Sequence, residues 1–372
     1  MKVLISGAGI SGLMCANQLQ QCGIEYDIIE KRDAFSSVGF ELVLWSTTVD
    51  ALKKIGMADT IAKFGVEIKG IVHRKPNNSV ITQTSYQPIE NRYGYYVAID
   101  RDKLLRALEA KIGPHRVLRN TWLTDIAKST RPTVTFNDGS RKEYDLIIGA
   151  DGIKSSLRPL IDPRAEVIQT GHSFWLYRIS SDIYSKPIFE SYSGNGLWGI
   201  LSPGKSESVV VLVTRTPSES MDKSAYLRSQ FSNFHGRLRT ALIAMPEENK
   251  IFQWEALQIK THMCRNEHAV LIGDAAHAHP PSLSSGANLA IEDTLTLVQL
   301  ITENRGVSET LERYEKLRQK RASYISRMAN WTLRFHMMKS PFDYLTATAL
   351  KCMDGIAANE RIMGLRGKES SS

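Results

Sequence analysis

The chain is 372 residues long, which predicts roughly two to three domains and ample material for a buried core. Apolar residues make up 42 % and charged residues 23 %, close to globular averages, so a disordered, fibrous or metal-stapled miniature fold is excluded. The net charge of +8 permits contact with nucleic acid or an acidic membrane without requiring it, and the placement of the charges has to decide.

The four cysteines, Cys15, Cys22, Cys264 and Cys352, lack the CxxC or His–Cys spacing of a zinc site. Free thiols in a reducing, cytoplasmic compartment are expected, with no metal. The apolar run Val3-Leu4-Ile5 follows almost directly on Met1, so no secretion signal is expected. Apolar runs such as 209–213 are far shorter than the roughly 20 residues that span a bilayer.

In chain order, Lys2 to Ser6 predicts a strand, and Gly7-Ala8-Gly9-Ile10-Ser11-Gly12 follows as GxGxxG at a strand-to-helix turn. Leu13, Met14, Ala16 and Leu19 keep helical spacing, the helix stops near Gly23, and a second strand, Tyr26 to Ile29, ends in Glu30. Gly7 permits the tight turn, Gly9 lets a pyrophosphate approach the helix N-terminus, and Gly12 permits close helix–strand packing. Glu30 would take ribose hydroxyls, which argues for FAD or NAD over a 2′-phosphorylated dinucleotide.

Asp100 predicts the N-cap of a helix beginning at Arg101. Thr133 to Phe136, the turn 137–140 and Tyr144 to Ile148 predict a hairpin leading into Gly149-Ala150-Asp151-Gly152, with Ser155 and Arg158 on the next helix. From Glu166 to Thr261 apolar and polar residues alternate, which predicts an antiparallel sheet inserted into the nucleotide domain. Most of its aromatic residues should be core, and Trp175, Tyr177 and Trp198 are the candidate pocket residues. A strand from Ala269 to Ile272 then ends in Gly273-Asp274-Ala275-Ala276-His277, and the Pro- and Ser-rich turn 280–285 opens a helix from Ala287 to Ile301. Between Arg305 and Arg327, seven Lys and Arg face three Glu, so half of the net charge lies on one helix. The pairs Glu309/Arg313 and Glu312/Lys316 predict a solvated face, and with no supporting motif nucleic acid is not expected as a partner. Trp331 to Met353 is amphipathic and should pack over the substrate domain or form a lid, with peripheral membrane or dimer contact left open.

Three motifs, GAGISG at 7–12, GADG at 149–152 and GDAAH at 273–277, stand in the order found in group A flavoprotein monooxygenases. The chain resembles that family, the para-hydroxybenzoate hydroxylase-like bacterial aromatic hydroxylases, over essentially its full length. The resemblance implies an α/β fold with a Rossmann-like FAD-binding domain (1–165 and 266–330), a β-sheet substrate domain (166–265, with part of 70–100) and a C-terminal helical segment (331–372). It implies tightly bound FAD on Gly7, Gly9, Ile10, Ser11, Gly12, Glu30 and Lys31, with Arg101 on the pyrophosphate side and Leu123 near the adenine. Asp151 would serve FAD and a transient NAD(P)H, Asp274 the ribityl chain, and Gly286-Ala287-Asn288 would lie beside the flavin ring. The activity implied is NAD(P)H- and O2-dependent hydroxylation of an aromatic small molecule through a flavin C4a-hydroperoxide, in a monomer or homodimer.

A helix N-terminus at Gly286 would favour a reduced, anionic flavin in front of it. Where many members of the family it resembles read P-x-x-G-Q-G-x-N, this chain places Ser284 and Ser285 for the first Gly and the Gln. A positive φ at Ser284 would strain that turn. No Arg or Lys occurs in 194–200, which favours a neutral aromatic or polycyclic substrate over a carboxylate. His277 reads as shaping the turn, and His279 with Pro281 as the better candidate for substrate or catalytic contact. Two alternatives are weaker: a flavin halogenase, whose W-x-W-x-I-P is absent, and a flavin-fold binding protein without turnover, against which the intact glycines, Glu30 and Asp274 speak.

Overall fold

Val3, Leu4 and Ile5 are wholly buried because their strand, Lys2–Ser6, is paired on both edges and covered on both faces. A strand in that position has no solvent side, so it reads as an unbroken apolar run. The computed structural model describes residues 1–34, 40–113, 115–127, 131–219, 221–260, 264–339 and 356–364. Lys2–Ser6 is the middle of a five-stranded sheet, which runs Ala269–Leu271, Leu146–Gly149, Lys2–Ser6, Glu25–Glu30, Val117–Arg119. Every neighbouring pair is parallel. The order reverses at the central strand, and the crevice at the carboxyl ends beside it is where such sheets bind ligands. Helices Ile10–Gln21, Arg101–Ile112 and Gly286–Thr302 pack on this sheet or on one another around one shared core.

The second sheet has seven strands, in the order Phe252–Lys260, Glu166–Ser180, Glu207–Arg215, Leu197–Ser202, Phe189–Gly194, Gly70–Arg74, Val80–Ser85. It is not wholly antiparallel as expected, since Phe189–Tyr192 pairs in parallel with Ile71–Arg74, which brings in the earlier segment. The hairpin also differs. Thr133–Phe136 pairs with Arg141–Glu143, whereas Leu146–Gly149, with all four residues buried, joins the parallel sheet. The long helix Val307–His336 runs unbroken through position 331. It carries Leu333 and Met337 onto the second sheet. Residues 340–355, with Cys352 and most of the expected amphipathic segment, lie outside the described residues, and a helix follows at Ile356–Ile362. No described helix is long and apolar enough to cross a membrane.

Candidate functional site

The glycine motif folds into a cradle that glycines alone fit. A Cβ on Gly12 would lie 1.8 Å from the Gly7 carbonyl oxygen, and one on Gly7, at φ +109°, would lie 2.4 Å from that of Ala150. A Cβ on Gly9 would meet nothing within 4 Å. Gly7 and Gly12 are therefore packing glycines, and Gly9 opens onto free space at the start of helix Ile10–Gln21. No side chain caps that helix, and its first turn holds no acid. Its free N–H groups and positive dipole end are available to an anion.

Glu30 closes one side. Its carboxylate accepts the Ala8 N–H at 2.9 Å and the Arg32 N–H at 3.0 Å, which fixes it at the strand end with lone pairs to spare. Lys31 extends over the Trp122 ring, 5.3 Å from its centroid. Leu123 is buried among Leu4, Ile29 and Val134, so only its backbone can face a ligand. Arg101 starts its helix next to Asp100, whose carboxylate caps it through the Asp102 and Lys103 N–H groups. Burial lowers the pKa of the Arg101 guanidinium and the neighbouring Arg32 lowers it further, while Asp102 and Asp274 act against them. Two cations thus share this edge, and Arg32 is one the sequence reading did not single out.

The three motifs are in mutual contact. Gly273, at φ +58°, presses on Ser11, and the Asp274 carboxylate comes within 3.7 Å of where a Gly286 Cβ would stand. Arg158, buried, donates to the carbonyls of Ile153 (2.5 Å) and Ala275 (3.1 Å), tying the Asp151 segment to the Asp274 turn. Asp151 itself accepts the Ser156 N–H at 2.8 Å and shapes its own loop.

Helix Gly286–Thr302 also starts without a side-chain cap or an acid in its first turn. Ser284 before it is in the left-handed region, φ 50°, ψ 32°, so a side chain does occupy the strained position. Asn288 holds the turn: its amide donates to the carbonyls of Val43 and Ser284, and its oxygen accepts the Trp45 N–H, each at 2.8 Å. Its side chain is consumed in this scaffold, leaving Gly286 and Ala287 to present backbone.

Both histidines are structural in their contacts. His277 pairs through Nε2 with Asp293 at 2.7 Å. His279 engages the His277 carbonyl through Nδ1 at 3.0 Å and the Ser285 hydroxyl through Nε2 at 2.6 Å, so both ring nitrogens are occupied within the chain. Pro281 is exposed on the same turn.

The aromatic expectation needs correction by one residue. Trp175 and Tyr177 face the outer side of the second sheet, packed with Phe231, Phe234 and Leu238 under helices Lys223–Gln230 and Gly236–Ile243. Trp175 is anchored there by its indole N–H to Thr214 at 2.9 Å. Successive side chains alternate faces, so Phe174 and Leu176 point the other way, with Trp198, Phe40, Leu333 and Met337. Near the middle of that inner face Ile200 and Val211, register partners on adjacent strands, remain partly exposed and are the candidate wall of a substrate chamber. Arg178 lies on this face as well, paired with Asp100 at 2.7 Å, so a cation reaches the region from a segment other than 194–200.

A sequence profile described as FAD binding domain matches residues 1–329. The chain is 26 % identical to the 2-heptyl-3-hydroxy-4(1H)-quinolone synthase of Pseudomonas aeruginosa, covering 92 % of this chain and 91 % of that protein. It is also 26 % identical to the FAD-dependent urate hydroxylase of Klebsiella pneumoniae, covering 86 % of each. The chain belongs to the group A FAD-dependent monooxygenases. Its fold matches that of Klebsiella pneumoniae HpxO complexed with FAD and uric acid at a TM-score of 0.86, with 24 % identity over 98 % of this chain and 95 % of that one. The tetracycline destructase Tet(55) shares the fold at a TM-score of 0.75, with 17 % identity over 97 % of this chain and 96 % of that one.

Within this monooxygenase the sequence reading missed the residue that organises the third motif. Asp293, wholly buried, accepts the Gly273 N–H at 2.8 Å, His277 and the Arg318 Nε at 2.7 Å. Arg321 adds a pair to Glu292. Part of the basic stretch expected on a solvated face is therefore interior, and Arg313 pairs with Glu303 instead of Glu309. The visible signal was the acid pair Glu292-Asp293 inside an apolar helix, which demands buried partners.

Proposed function

We propose that this chain is a monooxygenase that consumes NAD(P)H and O2 and places one oxygen atom on a neutral, planar aromatic or polycyclic substrate, the other leaving as water. The observation that carries this reading is the meeting of two uncapped helix starts, at Ile10 and Gly286, through Ser11–Gly273 and Asp274–Gly286, opposite an apolar sheet face. Bound FAD supplies the redox chemistry between the nicotinamide and oxygen. The chain's own residues divide the remaining work. Gly9, Ile10, Ser11 and Gly12 would receive the pyrophosphate on backbone N–H groups, with Arg101 and Arg32 balancing its charge, and Glu30 would hold the ribose. Asp274 would take the ribityl hydroxyls, and the N–H groups of Gly286 and Ala287 would face the ring's developing negative charge. Phe174, Leu176, Trp198, Ile200 and Val211 would exclude water from the reacting face. No protein nucleophile is required.

The test is direct. Purified protein should be yellow with about one FAD per chain, and NADH or NADPH oxidation should accelerate when phenolic or polycyclic compounds are added. A colourless protein that cannot be loaded with FAD would overturn the reading. Oxidation that yields only peroxide, with no acceleration by any aromatic compound, would overturn the substrate class and leave the cofactor.

A further inference from the structure

At one end of the inner sheet face, beyond the candidate wall at Ile200 and Val211, the chain buries polar groups that nothing in its apolar packing requires. Trp198 is two residues from Ile200 along the same strand, roughly 7 Å away and on the same face. Its indole N–H donates to Ser191 at 2.9 Å. The His336 ring lies flat on it, centroids 4.0 Å apart and planes 1° apart. The His73 ring is also beside His336, centroids 5.7 Å apart and planes 26° apart, on a strand that pairs His73 with Ser191. Ser193 stands directly across the ladder from Trp198. Two atoms in this group, the His336 Nδ1 and the Ser193 hydroxyl, are buried with no hydrogen-bond partner among the described residues. Their residues are only 2 % and 5 % exposed.

An unpartnered buried hydroxyl or imidazole nitrogen forfeits the hydrogen bond it makes to water in the unfolded chain, so an apolar wall would be less costly unless something polar arrives there. The location fits a ligand. The Ser282 hydroxyl on the turn before Gly286 donates to the Ala329 carbonyl at 2.5 Å, and His336 follows two turns later on the same helix, about 10 Å along its axis. Leu333, between them, packs into the inner-face cluster. One helix face therefore runs from the turn at the cofactor cradle to the polar group on the sheet, with the candidate wall of the chamber beside it. The burial that leaves the His336 Nδ1 without a hydrogen-bond partner among the described residues also holds the imidazole well below its ordinary pKa, and His73 pushes the same way, so the ring is neutral and offers one donor and one acceptor.

We propose that His336 and Ser193, backed by His73, form the recognition patch of the substrate chamber and take a ring carbonyl or ring N–H on an otherwise apolar, planar heteroaromatic substrate. The assignment rests on the monooxygenase reading above. It makes these residues determinants of specificity, not of oxygen transfer.

The probes are 4-quinolone, which carries a ring carbonyl and N–H, and naphthalene, of the same shape with neither. Each is titrated calorimetrically into the FAD-loaded protein. Wild type should prefer 4-quinolone. His336→Phe and Ser193→Ala should each weaken 4-quinolone by about 10- to 100-fold and naphthalene by less than about threefold, collapsing the preference. His336→Gln, which keeps a neutral donor and acceptor, should restore most of it. FAD content and melting temperature establish that each variant is folded, and Ser193→Ala keeps the test open should His336→Phe fail to fold. A wild type without preference, or variants that retain it, would overturn the patch. Binding of neither probe by a protein that holds FAD and oxidises NAD(P)H would overturn the substrate class named here while the monooxygenase reading stands. A protein that never holds FAD would overturn that reading itself.

Discussion

Gly273 presses on Ser11 so closely that a Cβ at Gly273 would lie 2.3 Å from the Ser11 hydroxyl. The first and third motifs are thus one packed unit, and the cradle's width depends on a missing methyl group. Gly273→Ala would force a side chain into a left-handed backbone, at about 1–2 kcal/mol, and overpack the helix start by about 1–3 kcal/mol more. We expect a melting temperature lowered by several degrees and sub-stoichiometric FAD after purification. Adding Ser11→Ala should recover part of both. Wild-type FAD content in Gly273→Ala alone would refute the coupling.

The buried network around Asp293 sets a pH window. Burial opposes charge on Asp293, but His277 and Arg318 outweigh it and hold the carboxyl well below the usual range. Burial likewise opposes charge on His277, and Asp293 outweighs it, raising the imidazole above its ordinary value. The Asp293 contribution is present above its unfolded pKa, roughly 3.9, and fades as pH falls through the depressed native value. That of His277 is full below roughly 6.5 and is lost as pH rises through the raised native value. The network's own contribution, read by urea unfolding as the difference between wild type and an Asp293 variant, should therefore decline on both sides of the interval from about pH 4 to 6.5. Asp293→Asn should cost about 3–5 kcal/mol and flatten both edges. An unchanged profile in that variant would show that the network does not carry this dependence.

The parts of the site that depend on local backbone chemistry were legible in the sequence. GxGxxG, the strand ends at Glu30 and Asp274, and the Asp100 cap each need only a few neighbouring residues, and each sits where its spacing predicts. What depends on pairing across the chain was not. Whether Phe174 or Trp175 faces the chamber is fixed by register with Val213 and Leu212, and aromatic residues on both faces of one strand erase the alternation that would reveal it. Asp293 and Arg318 meet only because two helices cross, so a basic run that reads as solvated from composition is partly interior. Leu146–Gly149 looked like a hairpin arm because Arg141–Glu143 directly precedes it, and only its complete burial assigns it to the parallel sheet.

Ser284 gives the next prediction. It holds φ 50°, in the left-handed region that favours glycine, and its carbonyl is gripped by Asn288. Ser284→Gly removes the Cβ penalty of the left-handed conformation and should stabilise the turn by about 1 kcal/mol, less the added freedom of the unfolded chain. Stopped-flow reduction of the bound flavin by NADPH should change rate, because this turn carries the N–H groups of Gly286 and Ala287. An unaltered reduction rate would place the ring elsewhere.

Glu41 stands where three pieces of structure meet. It lies on strand Glu41–Leu44, accepts the Ser202 hydroxyl from the second sheet, and neighbours Arg178 and Asp100. Burial pushes its carboxyl up to about 8, against the opposing pull of Ser202 and Arg178. A carboxyl raised in the native state favours folding below its unfolded pKa of roughly 4.3, and that advantage is lost as pH rises toward the native value. Between about pH 5 and 6.5, below the range in which His277 contributes, the wild type should lose stability progressively, and Glu41→Gln should remove that slope. A slope identical in the variant would mean that Glu41 is ionised in the folded protein.

The last prediction concerns register. Trp175 lies under the outer helices and Leu176 on the chamber side, one residue apart and on opposite faces. Trp175→Phe loses the hydrogen bond to Thr214 and should cost about 1–3 kcal/mol of stability while the KM for a stimulating aromatic compound stays within about twofold. Leu176→Trp adds bulk to the chamber and should lower stimulated NAD(P)H consumption at least about tenfold, with a smaller effect on flavin reduction in the absence of substrate. The two variants exchange their phenotypes if the strand is shifted by one residue, because such a slip carries every side chain to the other face. Steady-state kinetics and thermal melts on the same preparations distinguish the two arrangements.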